Sequence, residues 1–106
     1  MPEEEYQAAF QLIALAGDSK SDSMRAISEA KQGHFKEAEE LLKSAEEKLN
    51  QSHVAQFDLI QKEAEGERVP VNIILVHAQD HVTMAIIVKD MAAEIIDLYR
   101  QLPGKE

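Results

Sequence analysis

Hydrophobic residues recur at helical spacing in three segments of similar length, which two breaks separate. The first break is Gly33, and the second is the stretch GERVP at 66–70. In each segment, apolar positions three or four residues apart would form one face of a helix, with polar residues opposite. The pattern therefore predicts an all-α fold, a three-helix up-down bundle that makes a single domain of the chain 1–106. The predicted helices are roughly 3–32, 35–65 and 70–101.

The first two segments each contain a polar stretch on the side expected to face the core. In the first it is AGDSKSDS at 16–23, which would suit a kink or a short loop, although a continuous helix is favoured. In the second it is NQSHVAQFD at 50–58, which contains His53. A lone histidine in such a setting is more often a surface or interhelical hydrogen-bonding residue than a ligand.

The third segment is apolar around most of its circumference. Its opening VNIILV at 71–76 would suit a strand, but no other segment offers a partner strand, so a helix is the better prediction. A helix that is apolar nearly all round is buried nearly all round. Because each of three helices touches only two neighbours, the chain alone cannot bury this one. The pattern therefore predicts a symmetric homo-oligomer.

The charge balance excludes several classes of partner. Twenty acidic residues stand against eleven Lys and Arg, which gives a formal net charge of -9. Nucleic acids and anionic membranes need a basic surface that this chain lacks, whereas a protein with a basic face would be attracted. The chain has no cysteine, its first ten residues carry acids where a secretory signal carries Lys or Arg, and its apolar runs are too short to span a bilayer. We therefore expect a cytoplasmic protein.

The third segment also carries the only concentrated chemistry of the sequence, in VHAQDHVTMA. His77, Asp80, His81 and Met84 lie at i, i+3, i+4 and i+7, so they share a helix face. Three interpretations remain open from spacing alone. The polar residues form a hydrogen-bonded patch in the core, or the two histidines and Asp80 bind a metal such as zinc. Alternatively, a neutral imidazole attacks phosphorus while Gln79 and His81 hold the phosphoryl oxygens.

Five motifs, in order and at matching spacing over nearly the whole chain, resemble one known family. They are AGDSKS at 16–21, AxxGxFxxA at 30–38, LIxxEAxG at 59–66, VHAQDH at 76–81 and AxEIIDLY at 92–99. The family is the IIA components of the lactose/cellobiose branch, also called the N,N'-diacetylchitobiose branch, of the bacterial phosphoenolpyruvate-dependent sugar phosphotransferase system.

This resemblance implies a homotrimer, a nine-helix bundle, whose phosphorylated residue is His77. The histidine-containing phosphocarrier protein would donate the phosphoryl group, and a cysteine of the cognate IIB component would accept it. The resemblance also places Asp80 at the trimer axis, where three copies would surround a divalent cation, given as magnesium. His81 and Gln79 are the candidate supporting residues. Gln79 points about 160° away from His77 on an ideal helix, so His81 is the better candidate.

The chain departs from the family pattern at two positions. His34 stands where an Asp or Asn commonly caps the second helix, and Thr83 precedes Met84 where the usual order is Met-Thr.

An alternative function is a noncatalytic helical protein-interaction module, because AxxGxFxxA also resembles helical-hairpin repeats. That alternative leaves His77, Asp80 and His81 without a role.

Overall fold

A computed structural model describes residues 3–103 of the chain, and the ends of the predicted domain, 1–2 and 104–106, lie outside the described part. The elements are three long α-helices, α1 Glu3–Lys31, α2 Phe35–Ala64 and α3 Ile73–Gln101. Consecutive helices are antiparallel, and together they form a rod of 57 × 22 × 17 Å. The predicted three-helix fold is confirmed.

The ends of the helices follow from local backbone chemistry. Gly33 and Gly66 both have positive φ, 85° and 94°, in the turns that end α1 and α2. The side chain of Asn72 caps α3, because its Oδ1 accepts a hydrogen bond of 2.9 Å from the backbone N–H of Leu75. The predicted start of the third helix at residue 70 was therefore too early. His34 makes no side-chain cap bond to α2, as expected from its departure from the family pattern.

The polar stretch of the first segment does not interrupt α1, so the predicted continuous helix is confirmed. Two of its inward-facing polar residues, Ser19 and Asp22, find partners on α2, whereas the buried hydroxyl of Ser23 has no hydrogen-bond partner among the described residues. Ser19 donates a hydrogen bond of 2.9 Å to the carbonyl oxygen of Ala45, and Asp22 accepts from Ser44 and Lys48 at 2.7 and 2.8 Å. The polar residues of this stretch thus join two helices.

The core is built mainly from small side chains, which let the helices approach closely. α1 packs extensively against both other helices, whereas α2 and α3 meet along a thinner line. Polar bridges reinforce that line, among them Lys89 to Glu46 at 2.6 Å and Arg100 to Glu39 at 2.9 Å. Most of the buried apolar residues form two clusters. One comprises Ala9, Leu12, Ala16, Leu49, Leu75, Ala78, Val82 and Ala85, and the other Ala26, Ala30, Ala38 and Ile96.

One face of α3 remains uncovered in the chain. Its large apolar side chains are about half exposed or more, and Ile73 is 84% exposed. We call this face the α3 stripe, and it comprises Ile73, His77, Asp80, Met84, Ile87, Met91 and Leu98. Except for the step from Met91 to Leu98, its members follow one another at alternating intervals of four and three residues, which is the 3.5-residue period of a helix that packs against other helices.

Candidate functional site

Two histidine rings meet on the surface of α3. His77 and His81 are one helical turn apart, and their Nε2 atoms are 2.9 Å from each other. The rings meet edge to face, with centroids 4.4 Å apart and planes at 84°. His77 is exposed and His81 is half-buried. A polar patch in the core therefore does not describe this pair within one chain, since the ring of His77 faces solvent.

The two histidines lie beside the core-facing side of α3. Ile74, one turn before His77, packs against the core cluster that all three helices form, and Ala85, one turn after His81, belongs to that cluster. Side chains three and four residues apart share a helix face, so the two histidines lie in one row with Ile74 and Ala85. The histidines are the members of this row that reach the surface. His77 belongs at the same time to the α3 stripe, so it occupies the boundary between the chain's own core and its uncovered face.

The structure does not bring Gln79 to His77. The side chain of Gln79 turns toward α2, where its Oε1 accepts a hydrogen bond from Nε2 of Gln56. Sequence reasoning missed Gln56 as a partner, because only the tertiary register of α2 against α3 places the two amides together. The Thr83 hydroxyl also faces its own backbone, since it donates to the carbonyl oxygen of Gln79 at 3.1 Å.

Asp80 lies one turn beyond His77, exposed among the apolar residues of the α3 stripe. Between residues 3 and 103, no three side chains of His, Cys, Asp or Glu come together in a way that would hold a metal ion. A site built within one chain from His77, Asp80 and His81 is therefore not formed. Asp80 offers one exposed carboxylate per chain. It would suit a hard cation only if several chains contributed their Asp80 carboxylates jointly.

The remaining predicted features also have a place in the structure. His53 is exposed on α2, which agrees with its interpretation as a surface residue. Within the described residues no helix has the length and apolarity needed to cross a membrane.

Comparison with known proteins finds relatives that are all IIA components of phosphotransferase systems. Residues 7–100 match the family model for the PTS system, Lactose/Cellobiose specific IIA subunit. The lichenan-specific phosphotransferase enzyme IIA component of Bacillus subtilis is 47% identical over 102 residues, which cover 96% of this chain and 93% of that protein. The lactose-specific EIIA component of Streptococcus mutans is 35% identical over 99 residues, covering 93% and 95% of the two chains.

Solved structures agree with the sequence relatives. The cellobiose-specific enzyme IIA of Bacillus anthracis superposes with a TM-score of 0.94 at 45% identity, covering 100% of this chain and 97% of that one. The chitobiose IIA protein of Escherichia coli, solved in complex with HPr, superposes with a TM-score of 0.83 at 30% identity, covering 97% and 100%. The chain therefore belongs to the lactose/cellobiose-specific IIA family of the sugar phosphotransferase system.

Proposed function

We propose that this protein is a cytoplasmic phosphohistidine carrier in sugar uptake. His77 accepts a phosphoryl group from the histidine-containing phosphocarrier protein, HPr, and passes it to a cysteine of the cognate IIB component. The observation that carries the proposal is the exposed imidazole of His77 with a second imidazole 2.9 Å from its Nε2. Family membership supports it, as does the relative that was solved in complex with HPr.

We assign the phosphoryl group to Nε2 of His77, the ring nitrogen that lies 2.9 Å from Nε2 of His81. A hydrogen bond between two imidazole nitrogens requires one to donate and the other to accept. With the proton of His77 on Nδ1, its Nε2 keeps a lone pair, and Nε2–H of His81 donates to it. Attack forms the bond from Nε2 of His77 to phosphorus, while the nitrogen–phosphorus bond of the donor breaks and its electron pair returns to the donor imidazole.

His81 then acts on the phosphorylated state. Once phosphorus occupies Nε2 of His77, the N–H of His81 can no longer donate to that nitrogen and is placed to donate to a phosphoryl oxygen. Such positioning and charge stabilisation are the main help that phosphoryl transfer needs from a protein. Gln79 has no equivalent position within its own chain, because its amide is engaged by Gln56 on the far side of α3.

The α3 stripe supports a homotrimer as the working assembly. A largely apolar face with a 3.5-residue period is typical of helices that pack around a common axis. Three α3 helices packed through this stripe would bring three copies of Asp80 together, one from each subunit. Three close carboxylates repel one another, and a divalent cation with oxygen ligands, which we propose to be magnesium, would neutralise them.

Incubating the chain with phosphoenolpyruvate and the upstream phosphotransferase proteins tests the proposal. The protein is expected to gain one phosphoryl group per chain, visible by intact-mass spectrometry. The bond is expected to be labile in acid and stable in base, as a phosphoramidate is. Adding the IIB component should then discharge it. A chain that stays unmodified while HPr is fully phosphorylated would contradict the carrier function.

A further inference from the structure

A cavity opens at the end of the bundle where α2 is joined to α3. It has a volume of about 240 Å³ and lies between α1, the last turns of α2, the connecting segment 65–72 and the first turn of α3. Its apolar lining comprises Ala8, Leu59, Val69, Pro70 and Leu75. Ordinary ligand sites measure about 300–1,000 Å³, so this cavity suits a molecule at the small end of that range.

Hydrogen bonds within the connecting segment hold the walls of this cavity. The backbone N–H of Glu67 donates to the carbonyl oxygen of Lys62 at 3.0 Å. The backbone N–H of Val69 donates to the side-chain carboxylate of Glu63 at 3.4 Å, and the Asn72 side chain caps α3 immediately after the segment. The cavity is therefore formed before a ligand binds, which lowers the ordering cost of binding.

Two basic side chains, Lys62 and Arg68, line the same cavity. They are the only Lys or Arg residues between Leu49 and Val88. Both are exposed, and neither forms an ion pair with any residue that the structure describes. Glu67 also lines the cavity, but two cations outnumber one carboxylate. In a strongly acidic chain, the lining is thus a local positive region over an apolar floor.

We propose that this cavity is a binding site for a small organic anion with an apolar body, separate from the site at His77. The apolar body packs against Leu59 and Leu75, and Lys62 and Arg68 bind the charged group. A guanidinium bonds two oxygens of a phosphate or carboxylate at once, which suits Arg68 to this role. Leu75 belongs to the core, and His77, two residues later, lies about 200° further round α3, so the bound anion leaves the histidine uncovered.

Phenyl phosphate tests the site, because it joins an aromatic ring to a phosphate dianion. The backbone amide NMR signals of Val69 and Leu75 are followed during titration, and they are expected to shift to saturation with a Kd of about 1 mM or tighter. Inorganic phosphate lacks the ring and phenol lacks the charge, so each should bind at least about tenfold more weakly. Absence of a saturating shift up to about 10 mM phenyl phosphate, or equal binding of either simpler probe, would overturn the proposal.

Charge variants test the two basic residues. Lys62→Gln/Arg68→Gln is expected to weaken binding of phenyl phosphate about tenfold or more, because both charged donors are lost. The matched control is Lys20→Gln/Lys36→Gln, which removes the same two charges from exposed positions outside the lining of the cavity. The control should keep the wild-type Kd. An equal loss of affinity in both double variants would mean that net charge alone attracts the probe.

Ala8→Leu tests the cavity itself without changing any charge. Ala8 is half-buried on α1, and a larger side chain there takes up space that the ring of the probe needs. The variant should lose saturable binding while the remaining amide signals keep their wild-type positions, and unchanged binding would contradict the assignment. Phosphoryl uptake at His77 is measured separately on wild type. A failure there would overturn the carrier function and leave the anion site standing.

Discussion

Two polar clusters in this molecule differ in what surrounds them. The first joins α1 and α2, where the Asp22 side chain is only 8% exposed and accepts hydrogen bonds from Ser44 and Lys48. The second lies on α3, where His77 is exposed and its ring bonds to that of His81. Ser44 and Lys48 thus tie α2 to Asp22 of α1, whereas the bond between the two histidines stays within α3.

This difference separates a cluster that stabilises the fold from one that is available for chemistry. Burial raises the pKa of Asp22, but the hydrogen bonds from Lys48 and Ser44 and the charges of Lys48 and Arg25 outweigh it and hold that pKa below its ordinary value. The carboxylate is therefore fixed in its charged form. His77 keeps a ring nitrogen at the surface, which is what a group that serves two successive partners requires.

The largest expected effect is that of His77→Ala. The variant should take up no phosphoryl group, because the acceptor nitrogen is gone. The fold of the chain should be retained, because the ring of His77 bonds to His81 on its own helix and not to another helix. Intact-mass spectrometry and urea denaturation check the two parts. Phosphate retained on the variant would place the acceptor elsewhere.

His81→Ala should slow transfer without removing the acceptor. Loss of one charge-assisted hydrogen bond to the phosphoryl group is expected to lower the rate about 10- to 100-fold. Rapid-quench measurement of phosphate uptake gives the rate, and the final extent should still reach one group per chain. His81→Gln keeps an N–H donor and should recover part of the rate. If His81→Ala reacts as fast as wild type, the ring contributes packing alone.

Asp22→Asn should affect stability and leave the chemistry intact. Replacing the carboxylate weakens the hydrogen bond from Lys48, at an expected cost of about 1 to 2 kcal/mol near pH 7. Because folding lowers the pKa of Asp22, its charged form stabilises the protein above the unfolded-state value of about 3.9, and this contribution is lost as pH falls through the lower folded pKa.

The difference in unfolding free energy between wild type and Asp22→Asn should therefore shrink as the solution is acidified below about pH 4. Denaturation at a series of pH values measures it. Asp18→Asn, which changes an exposed carboxyl on the same helix, is the control and should differ little from wild type at any pH. A difference that stays constant down to pH 2 would show that the charge of Asp22 is not what stabilises the cluster.

The sequence predicted most of the fold because the apolar period and the two glycine breaks are local signals. It also placed His77 and His81 on one face, since their spacing alone determines that. Other features depend on tertiary contacts that no local pattern contains. The polar stretch at 16–23 resembles a loop until α2 supplies partners for Ser19 and Asp22, and Gln79 has a partner only once Gln56 is in register.

The smallest effect on stability is expected for Asp80→Leu, although Asp80 is a charged residue on the uncovered face of α3. If three copies of Asp80 surround a cation in the trimer, wild type should lose melting temperature in a chelator and regain it with magnesium. The leucine variant should show no such dependence.

The trimer of the Asp80→Leu variant should be no weaker than that of wild type, because replacing buried like charges by apolar side chains is often neutral or stabilising. Sedimentation velocity and thermal melts with and without chelator measure both properties. A monomeric leucine variant would mean that Asp80 holds the subunits together by direct contacts. In that event the α3 face, like the Asp22 cluster, would be a polar element that stabilises structure.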